Sequence, residues 1–161
     1  MISAVRRLQF CYGHRVYNHE SKCANLHGHN GVVFIHAKAP QGLDKLGRVI
    51  DFSLLKDLVG NWIEEEWDHR MILFKDDVAT IDLLSKASWS KKPFILDANP
   101  TAENMAKFLL EDLSPKLFYG KGIIVHKVVF YETENCYAEV SIEPNDPKVL
   151  ERFGILMANS F

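Results

Sequence analysis

The sequence contains few cysteines, no long apolar segment and no excess of either charge. Its three cysteines, Cys11, Cys23 and Cys136, are an odd number, which argues against a disulfide framework. No apolar run approaches the roughly 18 residues that a membrane span needs. With 19 basic and 21 acidic residues, the chain has no basic field that would favour nucleic-acid binding. The N-terminal residues lack the apolar core of a secretory signal, so we expect a cytoplasmic protein without membrane or nucleic-acid partners.

The composition is that of a globular protein with a substantial core. Hydrophobic residues make up 47% of the chain and charged residues 25%, a balance typical of folded domains. A chain of 161 residues can bury enough apolar surface to fold without disulfide support. We therefore expect one domain over residues 1–161, in which each thiol has to be considered separately.

Hydrophobic periodicity predicts four strands and two helices. Residues 3–12 alternate between apolar and polar side chains, whereas the apolar residues of 53–67 recur at helical spacing. Thr101 is a suitable N-cap for a second helix, and Glu103 lies in its first turn, where negative charge is favoured. Residues 75–98 have a mixed pattern that predicts no defined element. The four predicted strands are 3–12, 31–39, 122–133 and 136–142.

The predicted order of elements, ββααββ, indicates an α+β fold. Two runs of strands separated by a run of helices favour a four-stranded antiparallel sheet with both helices on one face. Such a sheet has two open edges, and association with further copies of the chain would cover them.

The segment CANLHGHN, residues 23–30, contains two histidines and a thiol. In an extended conformation His27 and His29 point the same way, because alternate side chains share one face of a strand. His14 follows the first predicted strand directly, and pairing of the two strands would bring it near His29. Three neutral imidazoles can hold a zinc ion with one coordination position left open, as catalytic zinc sites do. The sequence therefore predicts a metal site on these histidines.

Cys23 leaves two interpretations of this site open. As a fourth ligand, its thiolate would close a Cys-His₃ site and make the metal structural. As a free thiol, it could act as a general base or nucleophile beside a catalytic metal. The spacing between Cys23 and His27 does not decide between the two.

Two further sets of polar residues are candidates for acid–base chemistry and binding. Asp68 and His69 stand at the end of the first predicted helix. A carboxylate can orient an imidazole that acts on a thiol, provided that the chain leaves helical geometry at this point. Glu132 ends the mostly apolar face of the third predicted strand. Its carboxylate is either solvated at the rim or accepts paired N–H bonds, which suits an amino-pyrimidinone ring.

Taken together, these segments resemble the 6-pyruvoyltetrahydropterin synthase and 6-carboxytetrahydropterin synthase family. The Cys-x₃-His spacing is similar to that of the bacterial 6-carboxy branch, since the animal pyruvoyl enzymes have a longer insert there. Two positions depart from the family pattern: Tyr12 stands where a small residue is usual, and Gly31 where an aromatic residue is usual. The resemblance spans residues 10–135 and is carried, in family order, by FCYGHR, CANLHGHN, GRVIDFSLLK, WDHRMIL, PTAENMAKFL and FYETEN.

The resemblance implies a tunnelling fold (T-fold) and a zinc centre. In this family the chain forms a homo-oligomer, commonly a hexamer built as a dimer of trimers, and the pterin site is usually shared between subunits. Zinc would be bound by His14, His27 and His29. Cys23 would be the base that removes a proton from the substrate.

The resemblance also implies roles for the remaining candidates. Asp68 and His69 would tune the catalytic thiol. Glu132 would bind the pterin ring as part of the catalytic site, with Thr101 and Glu103 contributing from the start of the second helix.

The implied reaction converts 7,8-dihydroneopterin triphosphate to 6-carboxy-5,6,7,8-tetrahydropterin, with release of triphosphate and acetaldehyde, in queuosine biosynthesis. One alternative is 6-pyruvoyltetrahydropterin synthase, which eliminates triphosphate without cleaving the side chain. An alternative of another class is a zinc-stabilised binding module with the closed Cys-His₃ site. Arg15 and Lys22 are the basic candidates for binding the triphosphate.

Overall fold

A computed structural model describes residues 1–156, which fold into one mixed sheet with helices packed against it. The strands are β1 (Ala4–His14), β2 (His27–Lys38), β3 (Arg70–Phe74), β4 (Phe94–Leu96), β5 (Ile124–Tyr131) and β6 (Tyr137–Ser141). The helices are α1 (residues 52–66), α2 (Val78–Ser85), α3 (residues 102–117) and α4 (Pro147–Arg152), with one 3₁₀ turn at Lys22–Ala24. No helix within the described residues is long and apolar enough to cross a bilayer.

The sheet has six strands in the order β4-β3-β1-β2-β5-β6. The pairs β1–β2, β2–β5 and β5–β6 are antiparallel, whereas β1–β3 and β3–β4 are parallel. The prediction of four antiparallel strands in the order ββααββ was therefore wrong in strand number and in sheet type. The two extra strands have five and three residues, too few for a period-two pattern to stand out in the sequence.

The segment 75–98 contains α2 and β4, which the sequence pattern did not predict. The reason lies in the burial of α2, whose apolar residues Val78 and Leu83 are both exposed while the polar Thr80 is buried. A helix without an apolar stripe leaves no periodic signal in the sequence. The C-terminal helix α4 was also missed, in a weakly patterned stretch of only six helical residues.

Both long helices supply side chains to the same hydrophobic core. Leu55 and Ile63 of α1 are buried in it, as are Met105 and Leu109 of α3. Each helix has a central π-helical turn, at Lys56–Gly60 in α1 and at Phe108–Leu113 in α3. The core therefore covers one face of the sheet and leaves the other face free of these helices.

Side-chain caps fix the starts of α1 and α3. Asp51 accepts a hydrogen bond from the Ser53 backbone N–H at 2.8 Å. The Thr101 hydroxyl accepts one from the Asn104 backbone N–H at 3.3 Å, which confirms Thr101 as the N-cap of α3. These bonds satisfy N–H groups that a helix start would otherwise leave unpaired.

Candidate metal centre and active site

The register of β1 and β2 places the three predicted histidines at one end of the sheet. His14 is opposite His27, and Tyr12 is opposite His29. Both strands extend further than the sequence predicted: β1 ends at His14 and β2 begins at His27, so the HGHN segment lies within β2. Because side chains alternate along a strand, all three imidazoles lie on the core face.

Two of the three imidazoles are oriented by backbone carbonyl groups. His14 Nδ1 donates to the Pro100 carbonyl oxygen at 2.7 Å, and His27 Nδ1 donates to the Asn25 carbonyl oxygen at 2.7 Å. A carbonyl oxygen can only accept, so each Nδ1 carries the hydrogen and each Nε2 presents a lone pair. This is the arrangement that metal-ligating histidines adopt, with one nitrogen fixed by a hydrogen bond and the other free to coordinate.

The free nitrogens of the two rings face each other. His14 Nε2 lies 3.1 Å from His27 Nε2, close to the separation of about 3.3 Å between two nitrogens of a tetrahedral zinc site. Burial, with smaller contributions from His27 and His29, lowers the pKa of His14 to about 4, against the raising effect of its bond to Pro100. His14 is thus neutral near pH 7, and the two facing lone pairs need a cation between them. The donor set fits a divalent metal ion.

His29 completes the group of three imidazoles. Its Nε2 is buried and makes no hydrogen bond with the described residues. One nitrogen from each of the three rings lies within 4.8 Å of the other two. Burial, together with the nearby His27, lowers the pKa of His29, although the neighbouring Glu132 carboxylate opposes this shift. An orphaned buried nitrogen beside two aligned lone pairs is a second observation in favour of a bound cation.

Glu132 lies beside the three histidines, immediately after β5. Its carboxylate oxygens are 3.5 Å from His29 Nε2 and 3.9 Å from His14 Nε2. It lines two cavities, one of about 260 Å³ and one of about 620 Å³. The larger volume is within the range of small-molecule binding sites. Glu132 is therefore placed to contact a ligand that lies against the metal centre.

Cys23 faces the smaller cavity together with His14 and Glu132. Its thiol is free, and it does not belong to the group of atoms that meet around the three imidazoles. This geometry favours the open site of three histidines over the closed Cys-His₃ site. Thr101 and Glu103, at the start of α3, line the same cavity.

Asp68 and His69 form the predicted carboxylate–imidazole pair. His69 Nδ1 lies 2.8 Å from Asp68 Oδ2, and the backbone of His69 adopts a left-handed φ of 56°. The chain therefore leaves helical geometry at this point, which was the condition for contact between adjacent residues. Within the chain the pair lies against Cys11 rather than Cys23, since Asp68 Oδ1 accepts from the Cys11 backbone N–H at 2.9 Å. Cys11 and the metal-facing His14 point to opposite faces of β1.

Sequence reasoning missed three residues near these groups. His19 and Cys136 line the smaller cavity, and Tyr12 packs edge-on against His14 with ring centroids 5.1 Å apart. The Tyr12 hydroxyl is buried without a partner among the described residues, and burial raises its pKa, as does the Glu132 carboxylate. The alternation of β1 offered a signal in advance, because Tyr12 stands two residues before His14 and therefore shares its face of the strand.

Comparisons with known proteins point to one family. Residues 3–143 match the family described as 6-pyruvoyl tetrahydropterin synthase. A curated protein of Rickettsia felis named 6-carboxy-5,6,7,8-tetrahydropterin synthase is 44% identical over 140 residues, which cover 87% of this chain and all of that protein. A protein of Aquifex aeolicus with the same name is 33% identical over 129 residues, which cover 76% of this chain and 78% of that protein.

The fold is also found among solved structures. An uncharacterized protein from Wolinella succinogenes superposes with a TM-score of 0.75 at 28% identity, over 88% of this chain and 98% of that one. The 6-pyruvoyl tetrahydropterin synthase of Caenorhabditis elegans superposes with a TM-score of 0.59 at 22% identity, over 88% of this chain and 96% of that one. At 22% identity, the likeness to the Caenorhabditis elegans protein shows a shared fold and nothing further.

Proposed function

The chain belongs to the 6-pyruvoyl tetrahydropterin synthase family, and on that premise we propose that it converts 7,8-dihydroneopterin triphosphate to 6-carboxy-5,6,7,8-tetrahydropterin. Triphosphate and acetaldehyde are the other products, and the pathway is queuosine biosynthesis. The names of the curated relatives support the carboxy branch. The observation that carries the proposal is the set of three converging imidazoles with a free thiol and a carboxylate on the same cavity.

His14, His27 and His29 are the proposed ligands of a zinc ion. The support is the pair of Nε2 atoms 3.1 Å apart and the orphaned Nε2 of His29. When bound, zinc supplies Lewis acidity toward hydroxyl groups of the substrate side chain. The hydrogen bonds to Pro100 and Asn25 hold the ring planes in the orientation that this binding requires.

Cys23 is the proposed base that removes a proton from the substrate side chain. Cys23 lines the cavity that His14 and Glu132 also line, which supports a role for its thiol beside the metal centre. A thiolate held beside a cationic centre is a suitable base near neutral pH. The open coordination of three histidines leaves this sulfur free for proton transfer.

Asp68 and His69 are proposed to assist Cys23 from a second copy of the chain. Within one chain they contact Cys11 and lie across β1 from the cavity. His69 is exposed, with 78% of its side chain accessible, so its ring is available to another subunit. A homo-oligomer, with the dimer of trimers as the expected form, would bring the pair to Cys23.

Glu132 is the proposed binding residue for the pterin ring. Its carboxylate is only partly exposed and is positioned beside the metal centre, where it can accept two N–H bonds from the amino-pyrimidinone edge. Thr101 and Glu103 are proposed to contact the same ligand from the start of α3, which lines the cavity.

The experiment that tests this function is a product assay. The chain loaded with zinc is incubated with 7,8-dihydroneopterin triphosphate, and the products are separated by chromatography. We expect acetaldehyde and 6-carboxytetrahydropterin in equal amounts. Pyruvoyltetrahydropterin without acetaldehyde would assign the chain to the other branch, and an unchanged substrate would leave the zinc-stabilised binding module as the better account.

A further inference from the structure

We propose that Cys11, Asp68 and His69 form a second metal site, which takes a thiophilic divalent cation such as Zn²⁺. One ligand atom from each side chain lies within 4.8 Å of the other two. The group combines a thiol, a carboxylate and an imidazole, which are the three ligand types that zinc accepts in proteins. It is separate from the group of His14, His27 and His29, and it lies on the opposite face of β1.

Backbone hydrogen bonds hold these residues together without any ligand. The Cys11 N–H donates to Asp68 Oδ1 at 2.9 Å, and the His69 N–H donates to the Cys11 carbonyl oxygen at 2.7 Å. These bonds fasten the turn after α1 to the C-terminal half of β1. His69 keeps a left-handed backbone, which is unfavourable for a residue with a side chain and persists where its surroundings fix it. The three side chains are thus positioned before an ion binds.

The available atoms suit a site that remains open to solvent on one side. His69 Nδ1 and Asp68 Oδ2 lie 2.8 Å apart, so an ion that takes both atoms as ligands would replace the hydrogen that they share. Ligands of a tetrahedral zinc ion are about 3.3–3.8 Å apart, so contraction of the group by about 1 Å would complete the shell. In the single chain His69 is mostly exposed, so water can fill the fourth position there.

Asn30 is placed to stabilise the thiolate that the site requires. The Cys11 thiol now donates to Asn30 Oδ1 at 3.0 Å. Binding of a cation releases the thiol proton to solvent, and rotation of the Asn30 amide then turns its N–H group toward the sulfur. A sulfur ligand also defines the class of ion, since thiolates favour zinc, cobalt and cadmium over magnesium and calcium.

Occupation of this site has a consequence for catalysis, and this consequence alone rests on the proposed function. An imidazole with one nitrogen bound to a metal carries hydrogen on the other, so it has no lone pair left to accept a proton. If His69 assists Cys23 of another subunit, an ion bound by Cys11, Asp68 and His69 removes that assistance. We therefore expect the first equivalent of zinc per chain to activate the enzyme and the second to inhibit it.

The test is a cobalt titration of the full metal-free chain, because a thiolate bound to Co²⁺ gives a charge-transfer band in the near ultraviolet. The wild-type chain should bind two Co²⁺ ions, and the band should appear with the second. Cys11→Ser should bind the second ion at least about 10-fold more weakly, lose the band and escape inhibition by excess zinc. Cys136→Ser, which removes another exposed thiol, should still bind two Co²⁺ ions and keep the charge-transfer band.

Two results would overturn the proposal. One is binding of a single Co²⁺ ion per wild-type chain, and the other is a charge-transfer band that survives in Cys11→Ser. Loss of the band in Cys23→Ser instead would identify a closed Cys-His₃ site, which contradicts the open metal centre of the proposed function. The two proposals therefore fail in different variants.

Discussion

The ring of Tyr12 lies so close to the backbone of Gly31 that a β-carbon at Gly31 would be 2.9 Å from Tyr12 Cε1. Tyr12 belongs to β1 and Gly31 to β2, and the ring also packs against Phe10 and Phe130 with centroids 5.4 and 5.8 Å away. The family pattern implied by the resemblance has a small residue at the position of Tyr12 and an aromatic residue at the position of Gly31. In this chain the aromatic ring beside the metal centre comes from Tyr12 on β1, and Gly31 on β2 leaves room for it.

Any side chain at position 31 should therefore destabilise the protein. We expect Gly31→Ala to lower the free energy of unfolding by about 1–3 kcal/mol, because the ring is confined by its aromatic neighbours. The measurement is chemical denaturation of the metal-free chain. Tyr12→Ala/Gly31→Tyr, which moves the ring to β2, should be more stable than the sum of the two single changes predicts. Wild-type stability of Gly31→Ala would contradict the close contact.

Loss of the Cys23 thiol should separate metal binding from turnover. We expect Cys23→Ala to retain one zinc ion at the His14, His27 and His29 site, because three imidazoles hold it without sulfur. Turnover should fall by about 10²- to 10⁴-fold, the usual contribution of a general base. Zinc content is measured by elemental analysis and turnover by the product assay. Cys11→Ala is the matched control and should keep turnover. Zinc lost from this site along with turnover would instead indicate that sulfur is a ligand.

A change at Glu132 should affect the pterin and spare the metal. Glu132→Gln keeps the size of the side chain but removes its charge, so charge-assisted hydrogen bonds to the pterin edge are weakened. We expect pterin affinity, measured by calorimetry, to fall about 10- to 100-fold, with zinc affinity changed much less. Glu143→Gln, at an exposed position that lines neither cavity, is the control. Equal pterin affinity in both variants would rule out the binding role.

The stability of the metal-free chain should depend on pH through His14. Its pKa is about 4 in the folded protein and about 6.5 when unfolded, so between these values the unfolded chain holds an extra proton. The free energy of unfolding should therefore fall as the pH drops from above 6.5 toward 4, by up to about 3 kcal/mol from this group. Urea denaturation across this range measures the slope. His14→Gln should flatten it, and an unchanged slope in that variant would assign the effect to other groups.

The sequence by itself determined the features that depend on neighbours along the chain. Alternation in residues 3–12 predicted β1, and the side chain of Thr101 predicted the start of α3. The spacing of His27 and His29 predicted that both rings share one face. Each of these follows from backbone geometry within a few residues, which the order of side chains specifies directly.

Only the tertiary structure decided which of these features meet. The short strand β3 owes its place to parallel pairing with β1, and β4 owes its place to parallel pairing with β3, because neither carries a pattern of its own. The β1–β2 register put His14 opposite His27, and the turn after α1 brought Asp68 and His69 to Cys11 instead of Cys23. These contacts join residues 13 to 58 positions apart, and such pairings are selected by the packing of the whole core rather than by local sequence.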